Sequence, residues 1–132
     1  MNKPNGMSVG KFIWNDLAAA DTAAAIDFYQ AVFGWTADIE HVNGGQFIRL
    51  KSDGQDIGSM YTMSPREREF GVPSHWTSYI CVENIEATSR KVVAAGGVIL
   101  VRPFTVSGIA NIAIIADNLG SIIGLWESLP YE

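Results

Sequence analysis

Two stretches of this chain follow one plan. Residues 15–34 read NDLAAADTAAAIDFYQAVFG, and residues 77–96 read TSYICVENIEATSRKVVAAG. Asn15 and Thr77, Asp21 and Glu83, and Gly34 and Gly96 are each 62 positions apart (77−15, 83−21, 96−34). A shorter echo sets Asp56-Ile57-Gly58-Ser59-Met60 against Ile122-Ile123-Gly124-Leu125-Trp126. A solenoid needs shorter periods and more copies. The doubled plan therefore predicts two globular half-units of like build.

Punctuation residues fix their content. Lys11–Leu17 is a short apolar run and is expected as a strand. Asp21 supplies an N-cap carboxylate for a helix over TAAAIDFYQAVF, and Gly34 ends it. Ala25, Ile26, Tyr29, Val32 and Phe33 recur at helical spacing as its apolar stripe. Strands follow at Trp35–Val42, Gln46–Lys51 and Gln55–Met63, separated by turns at Asn43-Gly44-Gly45 and Ser52-Asp53-Gly54. SPREREFGVP, residues 64–73, has no periodic apolar set and reads as a linker. The order then repeats: a strand over Ser74–Val82, a helix capped by Asn84 and stopped by Gly96-Gly97, and strands at Val98–Pro103, Ala110–Asp117 and Ser121–Glu127. Thr105–Ala110 is expected as a loop and Asp117–Gly120 as a tight turn. The expected fold class is α+β. Two tandem βαβββ units (about 9–64 and 74–128, with the linker at 65–73) form a cupped, half-open mixed sheet with helices outside, in a single domain over 1–132.

The composition narrows the partners. A net charge of −5 with dispersed cations leaves no concentrated basic surface, so nucleic acid is not expected. No apolar run reaches membrane-spanning length, and MNKPNGMSVG lacks a signal-peptide pattern. The single cysteine, Cys81, excludes an internal disulfide and sits in an apolar run as a small buried thiol. A cytoplasmic location is the expectation. Ser59, Ser121 and Cys81 have no His and Asp at recognisable spacing, so nucleophilic catalysis has no positive support.

Several segments together resemble the vicinal oxygen chelate superfamily, which includes glyoxalases, bleomycin-resistance proteins and extradiol dioxygenases. They are Trp14-Asn15 ahead of Asp21, AIDFYQAVFGW (Ala25–Trp35), Val82-Glu83-Asn84-Ile85, Ala95-Gly96-Gly97 and DNLGSIIGLWE (Asp117–Glu127). The resemblance implies the paired βαβββ fold and a tendency to homodimerise. It also implies that metal-using members take His, Gln or Glu ligands from the first and last strands of each unit. Carried over, those positions are Asn15, Gly58, Thr77 and Gly124. An amide, a hydroxyl and two glycines are a poor donor set, so no metal and no cofactor is expected.

Strand alternation sorts the remaining side chains. With Asn15 and Thr77 facing the cup, its predicted lining is Asn15, Phe47, Arg49, Met60, His75, Thr77, Tyr79 and Trp126. Trp14, Trp76, Ile48 and Leu50 then face the helices, and Gly58 and Gly124 open room for a guest. Asp16 falls on the helix side, where an unpaired carboxylate is costly. Of the two histidines, His41 is expected at the surface and His75 at the rim. The lining mixes aromatic surface with a few hydrogen-bonding groups, as ligand pockets do. The leading reading is a metal-free protein that binds a small organic molecule, as bleomycin-resistance proteins do. Its guest is aromatic or cationic by net charge, or anionic or carbonyl-bearing if Arg49 points inward. The alternatives are a metal-dependent lyase, epimerase or dioxygenase of the glyoxalase type, and a dimer whose cup is filled by its own side chains.

Overall fold

The computed structural model describes residues 8–42 and 45–129. Its elements run β1 (Phe12–Ala19), α1 (Thr22–Phe33), β2 (Thr36–Val42), β3 (Gly45–Ser52), β4 (Gln55–Thr62), α2 (Pro65–Glu69), β5 (His75–Cys81), α3 (Ile85–Ala94), β6 (Val98–Val106), β7 (Ala110–Ala116) and β8 (Ile122–Ser128). This is the expected α+β order, βαβββ twice, with one addition. Ser64 and Glu67 close a reciprocal capping box, and Pro65 opens the single helical turn α2 inside the supposed linker. The S-x-x-E signal was present in the sequence but lacked an apolar stripe to accompany it.

The chain divides into two compact units. Residues 15–77 form one, here the central unit, and the segments on either side of it in sequence form the other, the split unit. In the central unit the strand order is β2-β3-β4-β1, antiparallel except for the parallel pair β1–β4. In the split unit it is β5-β8-β7-β6, again antiparallel except for the parallel pair β5–β8. The topology is thus the same in both.

Each helix covers one face of its own sheet. Asp21 Oδ1 accepts from Ala24 N–H at 3.1 Å to start α1, and Gly34, at φ 73°, ends it in the left-handed region. Ala25, Ile26 and Tyr29 of α1 pack on Leu17, Ala19, Ile48, Leu50 and Met60. The stripe stops there: Val32 and Phe33, expected within it, are 54% and 58% exposed. Asn84 Oδ1 accepts from Ala87 N–H at 2.9 Å to start α3. Ile85 and Val92 of α3 pack on Ala113, Ile115 and Leu125. At the β3–β4 hairpin, Asp53 (φ 51°) and Gly54 (φ 77°) are both left-handed, as a type I′ turn requires. The Asn43-Gly44 part of the other expected turn lies outside the described residues. β6 runs past Pro103 by taking register shifts on its way to Val106, so the expected loop after it shortens.

The helix caps correct the repeat itself. Asp21 and Asn84 are 63 positions apart (84−21), not 62, and so are the first residues of β1 and β5 (75−12). The shift is absorbed in the helices: α1 has 12 residues and α3 has 10. Asp21 therefore matches Asn84 rather than Glu83, and Asn15 matches Ser78 rather than Thr77. A slip of one residue along a strand exchanges its two faces.

Candidate functional site

The sheet face away from α1 carries the polar chemistry of the central unit. Cross-strand register sets Arg49 of β3 beside Ser59 of β4, and Ser59 beside Asp16 of β1. Tyr61 lies two residues along β4, next to Ala18. Ser59 is buried, and its hydroxyl donates to Asp16 Oδ1 at 2.7 Å. Burial pushes the Asp16 carboxyl above its ordinary pKa, while the Ser59 bond and the positive side of His75 pull it partway back. Burial, helped by the charges of Glu67 and Asp16, raises the Tyr61 hydroxyl to about 12. A carboxyl displaced in this way, with one firm hydrogen bond, is suited to hold or pass a proton.

Arg49 closes one end of the row and is already engaged. Its Nε donates to Glu40 Oε2 at 3.0 Å, and its Nη1 donates to Asp56 Oδ2 at 2.8 Å. These carboxylates raise its pKa further, and the guanidinium sits 5.3 Å from the centre of the Phe47 ring. Its charge is matched twice, so it does not by itself call for an anionic guest.

In the split unit the corresponding face is aromatic. The Trp126 ring packs 5.6 Å from Trp14 and 5.9 Å from Tyr79, and Trp126 Nε1–H donates to Ser128 Oγ at 3.2 Å. Tyr79 stands beside Gly124 across the parallel pair, and a Cβ on Gly124 would run into the Tyr79 ring.

The structure divides the predicted lining. Phe47 and Arg49 do lie on the face away from α1, and Tyr79 and Trp126 away from α3. Thr77 alternates with Ile80 and so shares the side of Tyr79; it is buried. Asn15 and Met60 must be corrected. Leu17 and Met60 pair across β1–β4 under α1, so Asn15 and Gly58 also point to the α1 side. Met60 has no exposed surface and is a core residue. Trp14 and Asp16, assigned to the helix side from the sequence, face the other way. His75 lies at the start of β5 with Nδ1 2.8 Å from the Pro73 carbonyl oxygen, and His41 is exposed. Neither glycine opens room on the face away from the helices. A Cβ at Gly58 would stand 2.6 Å from the Asn15 carbonyl oxygen, and Tyr79 covers Gly124. Sequence reasoning missed Asp16, Ser59 and Tyr61. The signal was the misplaced Asp16 itself, a carboxylate that made no sense on the helix side.

The four positions carried over from the resemblance do not keep to one kind of face: Asn15 and Gly58 point to the α1 side, whereas Thr77 and Gly124 point away from α3. Asn15 and Thr77 offer one neutral oxygen each, and Gly58 and Gly124 offer no side-chain donor. Among the described residues no three His, Cys, Asp or Glu side chains come together as a metal site. The residues do not fit a divalent centre there.

A cavity of about 440 Å³ opens on the opposite, α1 side of the central sheet, lined by Asn15, Trp35, Leu50, Ser52, Ile57, Gly58 and Trp76. It holds no ionisable side chain. The cavity and the polar row therefore occupy opposite faces of one sheet, and proton chemistry belongs with the row. Among the described residues no helix is long and apolar enough to cross a membrane.

Comparison with known proteins agrees with this fold. The chain is 31% identical over 125 residues to the anthracycline biosynthesis protein DnrV of Streptomyces peucetius, covering 86% of this chain and 46% of that protein. It is 32% identical over 117 residues to the putative glyoxylase CFP32 of Mycobacterium bovis, covering 87% of this chain and 44% of that protein. The chain thus spans about half the length of these relatives. Among solved structures, methylmalonyl-CoA epimerase from Mycobacterium tuberculosis superposes with a TM-score of 0.65 at 20% identity, over 93% of this chain and 91% of that one. A hypothetical protein from Bacillus halodurans superposes with a TM-score of 0.68 at 16% identity, over 92% of this chain and 96% of that one. The family model described as Glyoxalase/Bleomycin resistance protein/Dioxygenase superfamily matches residues 11–127, and the chain belongs to that superfamily.

Proposed function

We propose that this protein binds a small organic molecule against the sheet face that carries Asp16, without a metal. The carrying observation is the Asp16–Ser59 pair. A partly buried carboxyl with a raised pKa and a single short hydrogen bond retains capacity to bond a guest. Phe47 beside Arg49 contributes apolar area on that face. Because Glu40 and Asp56 already neutralise Arg49, the guest is neutral, bearing a carbonyl or hydroxyl that Asp16 meets. The names of the relatives, from anthracycline biosynthesis and a glyoxylase, support a small organic guest. In this reading Asn15 and Met60 contact no guest on the Asp16 face, while His75, whose charge acts on Asp16, stays a neighbour of the site.

The test is native mass spectrometry of the protein as purified, followed by ligand-observed NMR against a panel of small carbonyl and phenolic compounds. Saturable binding that weakens at least tenfold in Asp16→Asn is expected. Unaltered binding in that variant would remove Asp16 from the site, and no binder would end the proposal.

The raised pKa of Asp16 also favours a second reading, a proton-transfer enzyme in which this carboxylate takes a proton from carbon. Some structural neighbours are methylmalonyl-CoA epimerases; with Arg49 already neutralised, a neutral thioester that keeps an α-C–H is the first substrate to test. Deuterium uptake at its α-carbon in D₂O, lost in Asp16→Asn, is the expected signature; no uptake rejects this substrate and leaves the binding reading intact.

We also propose a cytoplasmic homodimer built from one domain per chain. The exposed edge strand β6, with Val98, Leu100, Val101 and Phe104 each 43–54% exposed, supports it. Light scattering that gives a monomer at micromolar concentration would reject the dimer.

A further inference from the structure

We propose that the cavity on the α1 side of the central sheet is a second binding site, for a planar, uncharged aromatic molecule carrying one hydrogen-bonding group. This goes beyond the function proposed above and rests on the other face of the sheet.

The walls carry the inference. Trp35 and Trp76 stand nearly perpendicular, 88° between planes and 6.1 Å between centres, and form an aromatic corner. Both indoles are braced from behind. Trp35 stacks on Tyr29 at 5.2 Å and on Phe33 at 5.2 Å, while Trp76 Nε1–H donates to the Tyr29 hydroxyl at 3.1 Å. That bond gives the polar end of Trp76 an intramolecular partner and leaves ring surface toward the cavity. A preformed pair of rings loses little freedom on binding, so stacking is retained as affinity. Leu50 and Ile57 complete an apolar floor.

The remaining lining sets the chemistry of the guest. Asn15 and Ser52 bring an amide and a hydroxyl to the rim, and no lining residue is charged. The nearby Lys51 is bound to Asp38 at 3.1 Å. A charged guest would lose water and meet no counter-charge, which is costly; a neutral one would not. A cavity near 440 Å³ lies in the range of small-molecule sites and suits a fused two- or three-ring system.

The experiment titrates 2-naphthol into the full-length protein and follows the four indole N–H signals by NMR, assigned with the single variants Trp35→Phe and Trp76→Phe. Saturable shifts of Trp35 and Trp76, with Trp14 and Trp126 unmoved, are expected. Cyclohexanol, which keeps the hydroxyl and lacks the ring, and N-methylquinolinium, which keeps the rings and adds charge, should each bind at least tenfold more weakly. Trp76→Ala should weaken 2-naphthol at least tenfold. Because that variant loosens the ring cluster, Ser52→Ala, which removes only a hydroxyl, gives a second reading with a loss of about threefold. The proposal is overturned by no saturable shift, by shifts confined to Trp14 or Trp126, or by equal or tighter binding of either control probe. It is also overturned if Trp35 and Trp76 move with protein concentration alone, since a second copy of the chain would then fill the cavity.

Discussion

Asp16–Ser59 in the central unit and Tyr79–Gly124 in the split unit occupy the same position in the same topology. Each pair spans the parallel strands next to a helix-capped turn, and each lies on the face away from its own helix. One holds a carboxyl on a hydroxyl at 2.7 Å; the other holds a phenol ring over a residue with no side chain. The next residues along, Met60 and Leu125, do the same work in both units, filling the core under α1 and α3. The duplication preserved the helix-facing side and let the opposite side diverge. Packing constrains the first through volume, whereas the second is constrained only by what it meets.

The largest effects should come from the conserved side. Met60→Ala and Leu125→Ala should each cost about 2–5 kcal/mol in denaturant unfolding, as buried truncations do. A cost for Met60 well below 1 kcal/mol, with Leu125 in range, would return Met60 to a ligand-facing wall. Gly124→Ala should follow at about 1–3 kcal/mol, because the new Cβ displaces a buried ring. Pairing it with Tyr79→Ala should recover part of that loss, and strict additivity would show that the ring does not own the space. The caps come next. Asp21→Ala and Asn84→Ala should each lower stability by about 1 kcal/mol, and a clear inequality would break the equivalence drawn between them.

The smallest effect carries the most informative sign. A carboxyl whose pKa is raised by folding binds its proton more tightly in the folded state than in the unfolded one. Stability then falls as pH climbs from the ordinary aspartate range through the folded value, and the deficit is complete above it. Asp16→Asn should therefore be more stable than the parent at pH 7, with the two converging near pH 3. A variant less stable at pH 7 would mean that Asp16 is an ordinary paired carboxylate. A gain in stability with a loss of ligand binding is the trade expected of a functional group.

Most of the fold was legible because its signals are local. Asp21, Asn84 and Gly34 mark helix ends, and Asp53-Gly54 marks a hairpin, each by chemistry confined to a few residues. The site was less legible for a specific reason. Aligning the repeats on Gly34 and Gly96 hid a two-residue difference in helix length, and the resulting one-residue slip turned β1 over. Phe47 and Arg49 escaped because Ile48 and Leu50 declared the core side of β3 directly. Asn15 and Asp16 did not, since β1 presents apolar residues at Ile13, Trp14, Leu17 and Ala18 on both faces, and Met60 of β4 followed Gly58, whose match to Gly124 carries the same slip. The Ser59 bond joins residues 43 apart in sequence and no local pattern announces it.

Cys81 is the only cysteine in the chain, it has no exposed surface, and burial pushes its thiol upward. Its backbone is held on both sides, accepting from Gly10 N–H and donating to the Lys11 carbonyl. A thiol reagent can reach it only when that part of the split unit lets go. The labelling rate is then a built-in clock for opening, readable without mutation. Comparing it with the denaturation free energy would show whether the split unit unfolds on its own or only with the rest of the chain.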